Sequence, residues 1–221
     1  MNEAAWLFGM IFCALGVALC TKANFGLSMI AAPPYIIHRF VINFLPWYSQ
    51  GTSEYVWQTA LLVIMCIIVK RFKPKYLLTF ACAVIFGLAL DGALFLLGSG
   101  TPYESIIVRI IAFIIGEAIT AVAIALYFRT SLPLCVYELV VSEISKRYNI
   151  EIGKVKQAND IIMFAISVIL ALINRSLSGI GIGTVLITLI NAPLIAFAGK
   201  CLDKFCDFSP RFPKLIEFAK I

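Results

Sequence analysis

Few ionisable side chains lie in or beside the long apolar runs of this chain, and two of them recur at matched positions. Ala18-Leu19-Cys20-Thr21-Lys22-Ala23-Asn24-Phe25-Gly26-Leu27 reads like Ala125-Leu126-Tyr127-Phe128-Arg129-Thr130-Ser131-Leu132-Pro133-Leu134, and the register continues to Arg39-Phe40 against Lys146-Arg147. Lys22 and Arg129 are thus paired cations, each followed by small polar residues, Asn24 and Ser131, and then a Gly26 or Pro133 break. An ionisable group in hydrocarbon costs about 2.5–3.5 kcal/mol on insertion scales, so each calls for a reason. One reading is an anion-facing pair at a central solute site. The other is interfacial anchoring, with each long side chain reaching for headgroups.

Two acids accompany them. Glu117 lies inside an apolar run between Gly116 and Ala118, and Glu138 follows the second break. Either suits a proton relay, a solute contact, or an internal ion pair with Arg129. Asn191-Ala192-Pro193 places a polar amide next to a residue that loosens a helix at depth. Upstream, Gly179, Gly181, Gly183 and Thr184 form a glycine–threonine string that allows close helix packing or leaves bare amides for an anion. It is not a dinucleotide fingerprint, because no strand–helix unit surrounds it. Lys22, Asn24, Glu117, Arg129, Ser131, Glu138 and Asn191 are therefore the expected solute-binding residues.

Catalytic machinery is not visible: there is no nucleophile–base pair, phosphate loop or HExxH motif, and no enzyme activity is expected. With one histidine, His38, and no CxxC, neither a metal site nor a cofactor is expected. The seven cysteines are odd in number, and Cys13, Cys66 and Cys82 sit in apolar runs as small hydrophobes.

These residues need elements to hold them. The chain has 221 residues, of which 62% are hydrophobic and 14% charged. A soluble domain averages about 45–50% apolar, so lipid must solvate much of this surface. The net charge of +6 gathers beside apolar runs, which fits topology and anionic headgroups rather than nucleic acid. Crossing the ~30 Å hydrocarbon core takes about 20 helical residues. Six runs are expected to do so: Ala4–Leu19, Tyr55–Val69, Tyr76–Leu97, Ile106–Tyr127, Val155–Ile173 and Gly183–Lys200. Two further apolar stretches, Leu27–Leu45 and Leu134–Ile144, are open to re-entrant, interfacial or spanning readings.

The expected fold is an all-α polytopic membrane protein. Its six spans form two inverted-topology three-helix repeats, residues 4–97 and 104–202, within one membrane domain, 1–202. Residues 203–221 form a short tail. Basic clusters at Lys70–Lys75, Lys146–Lys156 and after Lys200 fall on one side, so both termini are expected in the cytoplasm and the protein in the cell (inner) membrane.

Leu15-Gly16-Val17-Ala18-Leu19 with Ala23-Asn24-Phe25-Gly26, Ala125-Leu126-Tyr127 with Ser131-Leu132-Pro133, the Gly179–Thr184 string and Asn191-Ala192-Pro193-Leu194 together resemble the YczE/YyaS/YitT-like group of small bacterial integral membrane proteins. The resemblance covers roughly residues 8–200 and implies a membrane location. It departs after each break, where Gly26-Leu27-Ser28-Met29 and Pro133-Leu134-Cys135-Val136 replace the family's Gly-Pro-Trp-Asp or Gly-Pro-Arg-Asp pattern.

The leading expectation is a small alternating-access transporter for a polar or anionic organic solute. The alternatives are a substrate-binding membrane subunit with an energising partner and a non-transporting scaffold or regulator. The Ala14-xxx-Ala18 spacing suits docking to such an energising partner, and a homodimer or another partner membrane protein is also open.

Overall fold

The structure is a computed structural model that describes residues 2–99, 101–130, 135–176 and 179–205. Within them the chain is all helical: α1 (Asn2–Ala23), α2 (Ala32–Val41), α3 (Gln50–Val69), α4 (Tyr76–Leu96), α5 (Ile106–Arg129), α6 (Val136–Tyr148), α7 (Ile152–Ile173) and α8 (Ile182–Phe205). Five of these helices are long and apolar enough to cross a bilayer, and α8 makes a sixth if its two parts, Ile182–Thr188 and Pro193–Lys204, count as one span bent by 52°. Pro193 causes the bend, since it has no N–H for the helix ladder and its ring crowds the preceding turn. The molecule is a multi-pass membrane protein. Ile67, Phe95, Leu96, Ile107, Leu172 and Ile182 are all more than 60% exposed, as lipid-facing side chains should be.

Local sequence sets the helix ends. Ser49 caps α3 by accepting the Thr52 amide at 3.0 Å. Asn24, Lys70 and Asn149 stop α1, α3 and α6 in the left-handed region, with φ of 53° at each. The second span begins at Gln50 rather than Tyr55, because the Ser49 cap starts the helix a full turn before the apolar run. The first continues beyond Leu19 to Ala23.

The two extra apolar stretches become α2 and α6, with 10 and 13 residues. At 1.5 Å per residue neither can cross ~30 Å as a straight helix. Pro33 and Pro34 occupy the first turn of α2, where the missing N–H groups cost least.

Residues 2–96 and 106–205 follow the same order: a long helix, a short one, then two long ones. The packing follows it too. Helix α1 packs on α5, α2 on α7 as α6 on α3, α2 on α3 as α6 on α7, and α1 on α4 as α5 on α8. Helices α1 and α5 run antiparallel and meet at glycines. A Cβ on Gly16 would strike the Gly116 carbonyl oxygen, and one on Gly9 would press on that of Ala123. The shift that carries Ala18 onto Ala125 exchanges these two contacts. Ala14 and Ala18, expected to face a partner, are fully buried within the chain instead.

Two equivalences fail: α4 touches α6 with no matching α8–α2 packing among the described residues, and the larger difference lies between the last two helices of each half. Helices α3 and α4 form a tight seam, whereas α7 and α8 form none among the described residues.

Candidate functional site

A cavity of about 120 Å³ lies at the centre of the molecule, lined from α1, α3, α4, α5, α6, α8 and the loop before α2. Its walls come in matched pairs: Cys13 with Thr120, Val17 with Ile124, Cys20 with Tyr127, Ser28 with Cys135, Ile30 with Tyr137 and Ala31 with Glu138. Every pair is related by the shift that takes Ala18 to Ala125. Phe86 of α4 and Asn191 of α8 also line it, as do Glu54 and Gln58 of α3 and Glu117 of α5.

Three carboxyls therefore share one small space, and no Lys, Arg or His lines it among the described residues. Glu54 is 4% exposed and accepts the Tyr137 hydroxyl at 2.7 Å and the Gln58 amide at 3.3 Å. Glu117 accepts the Cys20 thiol at 3.3 Å. Glu138 Oε2, Gln58 Oε1 and Asn191 Oδ1 are buried and have no hydrogen-bond partner among the described residues. A buried polar atom left unsatisfied costs about 1–3 kcal/mol, so such acceptors are suited to a donor that comes and goes. The described residues offer no group of three His, Cys, Asp or Glu side chains that could hold a metal ion.

The expected site residues divide into two groups. Glu117, Glu138 and Asn191 meet at the cavity. Lys22 and Arg129 are held elsewhere, each at the last helix of its own half. Lys22, 4% exposed, donates to the Ser99 carbonyl at 2.9 Å beyond the end of α4 and sits over the Tyr103 ring. Arg129 forms a bidentate pair with Asp203 near the end of α8, and not with Glu117 or Glu138. Asn24 ends α1, and its carbonyl accepts from Arg109, which also donates to the Ala23 carbonyl and stacks on Phe25. Ser131 lies outside the described residues.

The glycine string is a packing seat. Gly183 N–H donates to the Phe25 carbonyl at 2.9 Å, and Leu27 N–H donates to that of Gly179 at 3.0 Å. A Cβ on Gly181 would collide with the Phe25 carbonyl, and one on Gly179 with the Tyr35 ring. Thr184, 1% exposed, bonds back within the string.

Glu54 is absent from the expected set. Its signal is present in the sequence as Gln50, Glu54 and Gln58, a polar stripe at one-turn spacing on a single helix face. Beginning the span at Tyr55 hides the first turn of that stripe.

The two seams flanking the cavity differ. At the α3–α4 seam Gly51 and Gly87 are so close that a Cβ on either would strike the other's carbonyl oxygen. Asp91 bolts that seam by accepting the Gly51 amide at 2.7 Å and the Ser49 hydroxyl. On the other side Gly153, likewise the second residue of its helix, has only Glu151 near it. There a vestibule of about 350 Å³ runs between Lys156 and Asp160 of α7 and Ile187, Thr188 and Ile195 of α8. It shares Ser28, Ile30, Ile124, Glu138 and Asn191 with the cavity. Lys156 is paired with Asp160 at 3.6 Å. A separate apolar hollow of about 530 Å³ between α5 and α8 touches the cavity at Glu117 and Asn191.

Away from the centre, Glu143 of α6 accepts from Lys73 at 2.8 Å and from Tyr76 at 2.6 Å. Burial pushes its carboxyl up, but these bonds and Lys146 outweigh burial and hold it below its ordinary value. His38 is shifted down chiefly by burial, against a bond with the Tyr48 carbonyl.

No curated protein and no solved structure matches the chain. Residues 1–200 match a family of unknown function, DUF6198, and the chain belongs to that family.

Proposed function

We propose that this protein is a small transporter that moves a polar organic solute by alternating access between two inverted repeats, with the solute held in the central cavity. The observation that carries this reading is the make-up of the cavity wall, in which matched residues of both halves face one another. A site on the axis that relates two repeats can be opened to either side by equivalent motions. The antiparallel α1–α5 contact supports inversion. So do the short helices, which are tied to opposite ends: Asn174 donates to the Ile36 carbonyl of α2, and Tyr148 of α6 donates to that of Ile68.

The unequal seams fit one end state of such a cycle. The α3–α4 side is bolted at Gly51, Gly87 and Asp91, and the α7–α8 side has a vestibule. The basic loops flank the starts of α4 and α7 and the end of α8, so with both termini in the cytoplasm the vestibule faces inward. We read the host bilayer as the cell (inner) membrane. Kinship with the YczE/YyaS/YitT-like group is part of the same reading and rests on the Gly179–Thr184 string and the two breaks.

Uptake by the full chain alone, purified into liposomes and offered a panel of labelled anionic, neutral and cationic metabolites, tests the transport reading. Accumulation or counterflow of a panel member is the expected result. Uptake that needs an added ATPase would make the chain a binding subunit, and no uptake in either case would overturn transport.

A further inference from the structure

The geometry points to a protonated amine as the solute class: a small organic ammonium donates its N–H groups to Glu54, Glu138, Gln58 and Asn191 in the central cavity. This inference rests on the transport reading and adds the sign of the solute's charge, opposite to the anion expected from Lys22 and Arg129.

The first support is the charge balance. Three carboxyls line the cavity with no basic residue among its described walls, and the two cations once paired with the site are bonded at helix ends outside it. Desolvated like charges in one small volume repel strongly, and a bound cation offsets that cost. The second is hydrogen-bond polarity. Of the buried, unpartnered atoms at the cavity, Glu138 Oε2, Gln58 Oε1 and Asn191 Oδ1 are acceptors, and the Tyr127 hydroxyl can accept as well as donate; Gln58 is 0% exposed with its Nε2 already committed to Glu54, which fixes Oε1 as the free atom. An ammonium has three donors and no acceptor, whereas a carboxylate only accepts.

Helices α2 and α6 both begin at the cavity, and helix N-termini favour anions. Here both are spent. The Ala31 and Ala32 amides bond to the Ser28 carbonyl, and Pro33 and Pro34 have no N–H. The first turn of α6 carries its own anion, Glu138. An inorganic metal ion is disfavoured because, although three carboxyls line the cavity, no three His, Cys, Asp or Glu side chains among the described residues are placed to hold one ion together. The size suits a few heavy atoms, since about 120 Å³ exceeds what one water needs.

Three probes of nearly equal shape separate charge from size: n-propylammonium, propionamide and propionate. Each is titrated into the full chain in nanodiscs at pH 7 and fixed ionic strength, with thermal unfolding as the readout. Propylammonium should stabilise the protein saturably, and the other two should not. In folded Glu138→Gln and Glu54→Gln proteins its affinity should fall at least tenfold. Stabilisation by propionate or propionamide equal to that by propylammonium overturns the ammonium class. So does an unchanged propylammonium affinity in both variants, or no response to any probe. Those results leave the transport reading to the uptake panel, where a neutral or anionic solute being carried would sink this inference alone.

Discussion

The Tyr137 hydroxyl donates to Glu54 at 2.7 Å, joining the first turn of α6 to the polar stripe of α3 across the cavity wall. Both groups are buried. Tyr137→Phe keeps the ring but strips a partner from a buried carboxyl. The expected cost is about 1.5–3 kcal/mol of stability, the range for a hydrogen bond to a charged group. Thermal unfolding in detergent checks it, and an unchanged midpoint would mean that water replaces the hydroxyl.

Gly153 supplies the sharpest test of alternating access. A Cβ at its position would meet only Glu151 Oε1, at the ordinary contact distance of 3.8 Å. Gly153→Leu should keep folded yield and thermal midpoint yet abolish uptake, because the α7–α8 seam can no longer close as the α3–α4 seam does. Full uptake by the variant would show that this seam never closes.

The α1–α5 crossing should tolerate no side chains. Gly16→Leu or Gly116→Leu forces the helices apart, and overpacking of this kind costs about 1–3 kcal/mol or more. Gly92→Ala is the control. Nothing lies within 4 Å of its Cβ position, and exchanging a mid-helix glycine for alanine should gain about 0.5–1 kcal/mol. Yields of monodisperse protein and unfolding midpoints separate the two outcomes.

Glu143 ties α6 to Lys73 and Tyr76, and its folded pKa lies below the ordinary 4.5. A depressed carboxyl contributes stability that is complete above the unfolded pKa. That contribution is lost as pH falls through the folded one. Wild type should therefore lose stability on acidification below about pH 4.5, and Glu143→Gln should be less stable at neutral pH with a flatter acid limb. Unfolding midpoints from pH 3 to 7, roughly the range spanning both states, decide this. Parallel curves would assign the acid loss to other groups.

Composition and periodicity were enough to establish a helical membrane protein, most helix positions and the internal match between Ala18–Leu27 and Ala125–Leu134. These are local properties: a run of apolar residues must sit in lipid as helix, and Pro193 must bend whatever helix contains it. The direction in which a polar side chain points is not local. Lys22 and Arg129 look like a central pair in the sequence, yet each turns to the last helix of its own half. Glu54 was hidden at a span's edge until the Ser49 cap and the rotation of α3 turned Gln50, Glu54 and Gln58 inward. The α1–α5 crossing at Gly16 and Gly116 together with the packing of α6 on α3 brings Glu54, Glu117 and Glu138 to one cavity. Helix rotation and crossing are set by contacts between segments distant in the chain, and hydropathy within a single segment does not encode them.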